Sequence, residues 1–182
     1  FRSAPGIEAG NQTIRKEITK GKFEDVNIRD VIKTIHEFDI NVGANYIFGL
    51  GHDTWESMQE TLNLSLELNT ENANFYCATA LPGSPLYQRL RRDGWSLPKN
   101  YEEFGFLSKE HIPSGTYSLT PAEVLHFRDY AFGVYFENPR FLSKIYTKFG
   151  KDAVDNIKRM TKIKLDRDIL HNHDLYQLGN ES

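Results

Sequence analysis

The sequence predicts an α/β fold in which parallel strands alternate with helices over the first half of the chain, and helices alone follow. Ile40–Gly49 is apolar and rich in β-branched and aromatic residues, which is typical of a parallel strand buried on both faces. Up to Gly94 the predicted order is strand, helix, helix, strand, helix, strand, helix, and no strand pattern occurs after Thr79. This alternation indicates parallel strands joined by helical crossovers.

The chain begins with the end of a strand and two helices. Arg2–Ile7 is predicted as the strand end, and a helix is predicted over Gln12–Thr19, ended by Gly21. Asn27 is the expected N-cap of the second helix. The apolar face of this helix, which we expect to point inward, consists of Ile28, Val31, Ile32, Ile35 and Phe38.

A helix follows the central strand, and a second strand and helix follow in turn. Asp53 is the expected N-cap of the first of these helices, with Glu56 three residues later in a capping box. Ala73–Thr79 is predicted as a strand, and Pro85 suits the first turn of a helix that ends at Gly94. The apolar face of the first helix consists of Trp55, Met58, Leu62 and Leu66.

A loop and several helices are predicted for the second half of the chain. Trp95–Tyr117 is an aromatic segment punctuated by Gly and Pro, which we expect to cover an open end of the sheet. Thr120, Pro121 and Glu123 mark the start of a helix that runs to Glu137. Two more helices are predicted over residues 141–149 and 152–165. The predicted divisions of the chain are residues 1–94, 95–119, 120–170 and a frayed tail, 171–182.

Composition narrows the functional classes. The net charge of the 182 residues is −3, which argues against general nucleic-acid binding. No apolar run approaches the ~20 residues that a membrane-spanning helix needs. The N-terminus has neither an initiator Met nor a signal-peptide pattern, so we expect the sequence to be part of a longer protein. The single cysteine, Cys77, favours a cytoplasmic compartment and cannot by itself hold a zinc ion or an iron–sulfur cluster.

Two polar residues in the predicted sheet region are candidate binding residues. Glu8 lies in a Gly-Ile-Glu-Ala-Gly turn, where its carboxylate can accept hydrogen bonds from ribose hydroxyls or an ammonium group. The alternative is a first-turn acid that the helix dipole favours. Asn45 is an amide inside an apolar strand, and its hydrogen-bond partner is either a ligand or neighbouring backbone.

Other reactive residue types favour structural explanations. Cys77 is expected to be a small buried hydrophobic residue rather than a reactive thiol. His52 is either a ligand contact or simply exposed. His171–Asp174 has the residue types of a metal site but no third ligand spaced nearby. The basic residues around the last helix are expected to form a solvated face; they are Lys158, Arg159, Lys162, Lys164 and Arg167.

Three segments together resemble the second half of a radical S-adenosylmethionine domain. They are Gly6–Gln12 (GIEAGNQ), Asn45–Thr54 (NYIFGLGHDT) and Leu81–Tyr87 (LPGSPLY). The resemblance is to the branch that often carries an amino-terminal cobalamin-binding domain, and it covers roughly residues 1–94. The helical remainder resembles the carboxy-terminal extension of that branch. The resemblance implies a partial (βα) barrel fragment with parallel strands, in which residues 1–8, 40–49 and 73–79 would be the fourth, fifth and sixth strands.

The resemblance also implies roles for individual residues. Glu8 would hold the ribose or the methionine part of S-adenosylmethionine. Asn45, Ile47 and Gly49 would lie along the adenosine, and the backbone at Ala80 and Leu81 would border the adenine. The implied reaction of the whole protein is reductive cleavage of S-adenosylmethionine to a 5′-deoxyadenosyl radical. Hydrogen abstraction from a small-molecule substrate or methyl transfer would follow, and cobalamin is left open as a further cofactor.

The sequence also departs from the pattern of this family. Ala9 stands where Ser is common, and Gly51-His52 replaces a Pro-Gly or Pro-acid pair. The three-cysteine motif that ligates a [4Fe–4S] cluster is absent from these residues, as are the first three strands. We therefore expect no catalytic or metal-binding residue in this chain and no activity from it alone. We also expect the missing N-terminal half of the barrel, or a homo-oligomer, to cover its open sheet edge.

Two other functional classes are compatible with the same residues. One is a nucleotide- or phosphate-binding α/β-barrel fragment without radical chemistry. The other is a non-catalytic interaction module whose helical third docks a partner.

Overall fold

The computed structural model describes residues 2–19 and 26–171. Four short strands form one parallel sheet in this part of the chain: β1 (Arg2–Ser3), β2 (Gly6–Glu8), β3 (Asn41–Phe48) and β4 (Asn72–Cys77). β3 is central, and each of the other three pairs with it in parallel. The predicted α/β class with parallel strands is confirmed, while the barrel stays a prediction.

β1 and β2 are two segments of one interrupted strand. Arg2 pairs with Asn41, Ser3 with Val42 and Gly6 with Asn45, so each pair is 39 positions apart. Between the segments, the Asn45 N–H donates to the Pro5 carbonyl at 3.1 Å. Pro5 has no N–H to return, which interrupts the ladder. The register then shifts before Glu8, which pairs with Tyr46.

Eight α-helices and one short 3₁₀ helix (Tyr101–Phe104) lie in the described residues. The helices are α1 (Gln12–Thr19), α2 (Ile28–Glu37), α3 (Trp55–Leu68), α4 (Pro85–Arg92), α5 (Pro121–Phe136), α6 (Pro139–Phe149), α7 (Lys151–Thr161) and α8 (Asp168–His171). None of these helices is both long and apolar enough to cross a membrane. The predicted helix end at Gly21 and the tail beyond His171 lie outside the described residues.

Most of the predicted helix starts are confirmed, but the predicted cap of α3 is wrong and α6 begins at Pro139, two residues before the predicted start. The Asn27 side chain caps α2, and Thr120 and Glu123 form the capping box of α5. α3, however, is capped by Thr54, with Ser57 as its capping-box partner, rather than by Asp53 and Glu56. The Asp53 carboxylate is buried and accepts hydrogen bonds from the Leu50 N–H (2.9 Å) and the Ser57 hydroxyl (2.6 Å). Asp53 therefore stabilises the turn before α3 instead of capping the helix.

The central strand is buried on one face only, which corrects the prediction of a strand buried on both. Val42, Ala44, Tyr46 and Phe48 are buried, whereas Asn45 and Ile47, which alternate with them, are half-exposed. On the buried face, the Phe48 ring packs edge-on against Phe127 of α5 with centroids 5.1 Å apart. α3 adds Met58 and Leu62 to the same core. The opposite face, hereafter the open face, lacks such a helical layer among the described residues.

The helices depart from prediction where tertiary packing decides exposure or length. On α2, Ile32 is buried but Val31 is 41% exposed, and Phe38, the C-cap residue after α2, is 74% exposed. The predicted inward face is therefore narrower than the sequence pattern suggests. α7 ends at Thr161 rather than at residue 165, and the short helix α8 follows it. β4 ends at Cys77, before the predicted Thr79.

A buried carboxylate joins α2, β3 and α6. The Glu71 side chain is 4% exposed and accepts from Lys144 Nζ at 2.8 Å and from Lys148 Nζ at 3.0 Å. It also accepts from the Val42 N–H at 2.8 Å and lies 3.1 Å from His36 Nε2. Burial alone would raise the pKa of Glu71, but the lysines and the amide together hold it at about 2. Glu71 is therefore ionised and fully paired at neutral pH.

Candidate functional site

The candidate site is the open face of the sheet. In parallel pairs, residues opposite each other point to the same face, so register decides which side chains meet. Gly6 of β2, Asn45 of β3 and Asn74 of β4 form one row across the sheet. Ile47 and Tyr76 form the next row towards the carboxyl ends of the strands. This face therefore carries a polar row followed by an apolar one.

The Glu8 carboxylate extends over the polar row. A Cβ on Gly6 would lie 2.5 Å from Glu8 Oε1, so the carboxylate occupies the space where a Gly6 side chain would be. Because Gly6 is opposite Asn45, this places the carboxylate on the same face as the Asn45 side chain. Partial burial raises the pKa of Glu8 above its ordinary value.

The backbone of Glu8 is also unusual. Its φ is +65°, in the left-handed region that non-glycine residues adopt at a cost. Such conformations concentrate at ligand-binding and active sites, where the surrounding structure enforces them. The conformation at Glu8 is consistent with a binding role and does not fit the alternative of an ordinary first-turn helix acid, because α1 begins only at Gln12.

Asn45 has a partner that neither sequence alternative contained. Its Oδ1 accepts a 2.8 Å hydrogen bond from Asn74 Nδ2 across the strand pair. The Asn45 Nδ2 makes no hydrogen bond with the described residues, so it remains available to an acceptor on the open face. Asn74 was not predicted as a site residue. Its alternation with the buried Ala73 and Phe75 was the available signal.

The aromatic loop reaches the open face through Phe106. Its ring packs edge-on against Tyr76, with centroids 5.4 Å apart. Tyr76 lies opposite Ile47 in the apolar row. Further along the loop, Ser114 donates its N–H to the Ala78 carbonyl at 2.7 Å and Tyr117 to the Gly51 carbonyl at 3.0 Å. The loop therefore lies against the carboxyl ends of β3 and β4, as the sequence led us to expect.

Arg167 binds the backbone of this loop. The prediction that Arg167 belongs to a solvated face is therefore wrong. The side chain is buried, and Nη1 donates to the carbonyls of Phe106 (3.1 Å) and Ser108 (2.8 Å). Its Nε lies 3.5 Å from Asp129 Oδ2 of α5. Lys158, Arg159, Lys162 and Lys164, predicted to share that face, are accessible to solvent. Arg167 thus links the helical part of the chain to the cover of the open face.

The remaining predicted site residues lie at the strand ends. Gly49 has a φ of +78°, and a Cβ there would lie 2.5 Å from Val124 Cγ1, so the fold itself requires glycine at this position. Ala80 is buried and Leu81 is 50% exposed in the turn after β4. Contact of any of these residues with a ligand stays a prediction.

The other candidate reactive residues, Cys77, His52 and His171, contact or are buried by other residues of the protein. Cys77 is buried, and burial raises the pKa of its thiol to about 12, so it is not a thiolate at neutral pH. The His52 ring packs against Tyr117 with centroids 4.8 Å apart. Of the predicted metal-site residues only His171 is described, and its Nε2 lies 2.7 Å from Asp166 Oδ1. Residues 2–19 and 26–171 contain no group of three or more His, Cys, Asp or Glu side chains that could hold a metal ion.

Sequence comparison relates this parallel α/β chain to enzymes. It is 28% identical over 100 residues to bacteriochlorophyllide d C-12(1)-methyltransferase of Chlorobaculum tepidum, a match that covers 53% of the chain and 22% of that enzyme. It is 27% identical over 99 residues to an uncharacterized methyltransferase of Pyrococcus horikoshii, covering 54% of the chain and 21% of that protein.

A third relative is the anaerobic magnesium-protoporphyrin IX monomethyl ester cyclase of Cereibacter sphaeroides. Identity is 33% over 120 residues, 66% of the chain and 19% of the cyclase. The matched segment thus spans about one fifth of each of these three relatives. No family model matches the chain.

Proposed function

We propose that this chain is the carboxy-terminal part of a radical S-adenosylmethionine enzyme and that its open face contributes the adenosine and ribose side of the S-adenosylmethionine site. The Glu8 carboxylate over the row that contains Asn45 and Asn74, on a parallel sheet, carries this proposal. Ligands of α/β folds bind at the carboxyl ends of parallel strands. The aromatic loop lies at those ends, and the row of Ile47 and Tyr76 lies between them and the polar row.

The residues on the open face fit the chemistry of an adenosine. The Glu8 carboxylate accepts hydrogen bonds, which suits ribose hydroxyls or an ammonium group. The unpaired Asn45 Nδ2 can donate to a ring nitrogen or an oxygen, and Ile47 supplies an apolar surface for a flat base. The hydrogen bond from Asn74 fixes the orientation of the Asn45 amide before any ligand arrives.

S-Adenosylmethionine, reduced by an iron–sulfur cluster, would supply the radical that abstracts hydrogen or drives methyl transfer. The cluster ligands would have to come from another segment, because Cys77 is the only cysteine and is buried in the core. The residues described above would bind and orient. The names of two relatives support methyl transfer, and cobalamin remains an open prediction.

The half-exposed open face also supports the proposal that another segment or another copy of the chain covers it. In the proposed whole protein, the first strands of the barrel would cover Asn45, Ile47 and Tyr76, and this chain alone would be inactive. A homo-oligomer of the chain is the other occupant consistent with the predicted open edge. The Phe106 contact with Tyr76 supports the proposal that the aromatic loop lies on the substrate side of this arrangement.

Calorimetric titration of the 182-residue chain with S-adenosylmethionine tests the proposal. We expect binding that Glu8→Gln weakens by about 1–3 kcal/mol, the value of a hydrogen bond to a charged group. Glu56→Gln, which removes the same charge from the exposed first turn of α3, is the matched control and should bind like the parent. Absence of binding, or equal binding by Glu8→Gln, would contradict a site preformed on this face. Equal affinity for adenosine diphosphate would instead favour a general nucleotide-binding fragment.

A further inference from the structure

A cavity lies where the ends of β3 and β4 meet α4 and the aromatic loop. Its volume is about 160 Å³, well above the about 10–15 Å³ that one water molecule requires. Leu86, Arg89 and Leu90 line it from one face of α4, and Trp95 and Tyr117 line it from the loop. The turn after β3 and the loop backbone complete the wall.

Two polar groups in this wall have no hydrogen-bond partner within residues 2–19 and 26–171. Ser114 is 92% buried, since its exposed fraction is 8%, and its Oγ has no hydrogen-bond partner among the described residues. The same is true of the buried Arg89 Nε. Buried hydroxyl and guanidinium groups in folded proteins are nearly always hydrogen-bonded. Both groups can donate, so the cavity is suited to an occupant that accepts hydrogen bonds.

The charge of Arg89 is also uncompensated. No carboxylate in residues 2–19 or 26–171 forms an ion pair with it, whereas Arg92 on the same helix pairs with Asp93 at 3.0 Å. Its Nη2 is held over Gly51, where a Cβ would lie 3.3 Å away. A guanidinium in such a position binds planar carboxylates well, because its N–H groups match the two oxygens.

We infer that this cavity binds the carboxylate of a small organic acid, or of a substrate arm, through Arg89 and Ser114. The apolar side chains of Leu86, Leu90 and Trp95 would pack against a short hydrocarbon body. This arrangement, an apolar cavity with a few convergent polar groups, is typical of small-molecule sites. The inference does not depend on the proposed function, because it rests on Arg89 and Ser114, which are not among the residues proposed for the adenosine; the cavity shares only Gly49 with those residues.

Trp95 provides a direct readout of binding. It is one of only two tryptophans, and Trp55→Phe leaves it as the single indole while keeping an aromatic ring against Phe127. Fluorescence titration of this variant with butyrate should give a saturable change in Trp95 emission. Butyramide, which has nearly the same size without the charge, should bind at least tenfold more weakly.

Variants in the same background identify the residues responsible. Arg89→Gln should raise the butyrate dissociation constant about tenfold or more, and Ser114→Ala should raise it severalfold. Arg91→Gln removes the same charge from the exposed side of α4 and should bind like the parent. Melting curves followed by circular dichroism establish that each variant is folded.

Three results would overturn the inference. One is equal binding of butyrate and butyramide, and another is unchanged butyrate affinity in both Arg89→Gln and Ser114→Ala. The third is a response to inorganic phosphate without a response to butyrate, which would mean that the cavity selects a compact oxyanion rather than a carboxylate on an apolar body.

Discussion

Asn74 Nδ2 donates a 2.8 Å hydrogen bond to Asn45 Oδ1 across β4 and β3, on the face of the sheet that no helix in the described residues covers. This hydrogen bond sets the orientation of Asn45 and leaves the Asn45 Nδ2 directed to other acceptors.

We expect Asn74→Ala to lower the free energy of unfolding by about 0.5–1.5 kcal/mol, the net value of one hydrogen bond. A double-mutant cycle with Asn45→Ala measures the coupling between the two residues by urea denaturation. Additive effects of the two substitutions would show that the hydrogen bond does not contribute to stability.

The Glu71 carboxylate should be important for stability. Glu71→Gln should lower the free energy of unfolding at neutral pH by about 1–3 kcal/mol, because Lys144 and Lys148 lose their buried partner. Glu67→Gln is the control, since Glu67 pairs with Arg29 at an exposed site and should change stability by less than about 1 kcal/mol. Similar losses in the two variants would contradict this prediction.

The same carboxylate should set an acid limit of stability. Its pKa is about 2 in the folded chain against an ordinary value of 4.5, so protonation favours the unfolded chain between these values. The contribution is complete above pH 4.5 and is lost as the pH falls towards 2. Glu71→Gln should therefore flatten the dependence of urea midpoints on pH in this window.

Protonation of His111 should lower the stability at a higher pH than protonation of Glu71 does. His111 is a buried residue of the aromatic loop, its Nδ1 lies 3.2 Å from the Glu103 carbonyl, and burial lowers its pKa from 6.5 to about 4. The unfolded chain takes up the proton first, so stability should fall by about 1.4 kcal/mol per pH unit as the pH decreases from 6.5 towards 4. His111→Asn should remove this slope. A slope that persists in the variant would assign it to other groups.

Arg167 should control the position of the aromatic loop. Arg167→Gln removes the bonds to the Phe106 and Ser108 carbonyls, so amide hydrogen exchange over residues 101–112 should accelerate. Lys164→Gln removes the same charge from an exposed position nearby and should leave exchange unchanged. Acceleration spread evenly over the whole chain would indicate general destabilisation rather than local control.

Gly49→Ala should be more destabilising than backbone strain alone explains. Gly83 has a similar φ, +85° against +78° at Gly49, but a Cβ on Gly83 meets nothing within 4 Å. Gly83→Ala therefore measures the strain, about 1–2 kcal/mol, and the excess at Gly49 measures the clash with Val124. Val124→Ala should partly rescue Gly49→Ala in thermal melts, although it removes core packing of its own. Equal losses at the two glycines would contradict the clash.

Local chemistry made several elements predictable. Thr120, Pro121 and Glu123 specify the start of α5 because capping needs only residues within one helical turn. The alternation of Val42, Ala44, Tyr46 and Phe48 predicts a strand. The strand end predicted over Arg2–Ile7 is present, but it is divided into Arg2–Ser3 and Gly6–Glu8. Asp53 shows the limit of such reasoning, because Thr54 is an equally suitable cap and the Asp53 carboxylate instead accepts from the Leu50 N–H and the Ser57 hydroxyl.

The sequence by itself determined the α/β class, the parallel order of strands and the placement of Glu8, Asn45 and Ile47 in strands or at their ends. Only the tertiary structure decided that Asn74 is the partner of Asn45, that Arg167 is buried against the loop, and that Glu71 forms ion pairs with two lysines. Each of these contacts joins residues far apart in the chain: 29 positions for the asparagines and 59 for Arg167 and Ser108. Local propensity carries no information about such pairs, because the packing of whole elements brings them together.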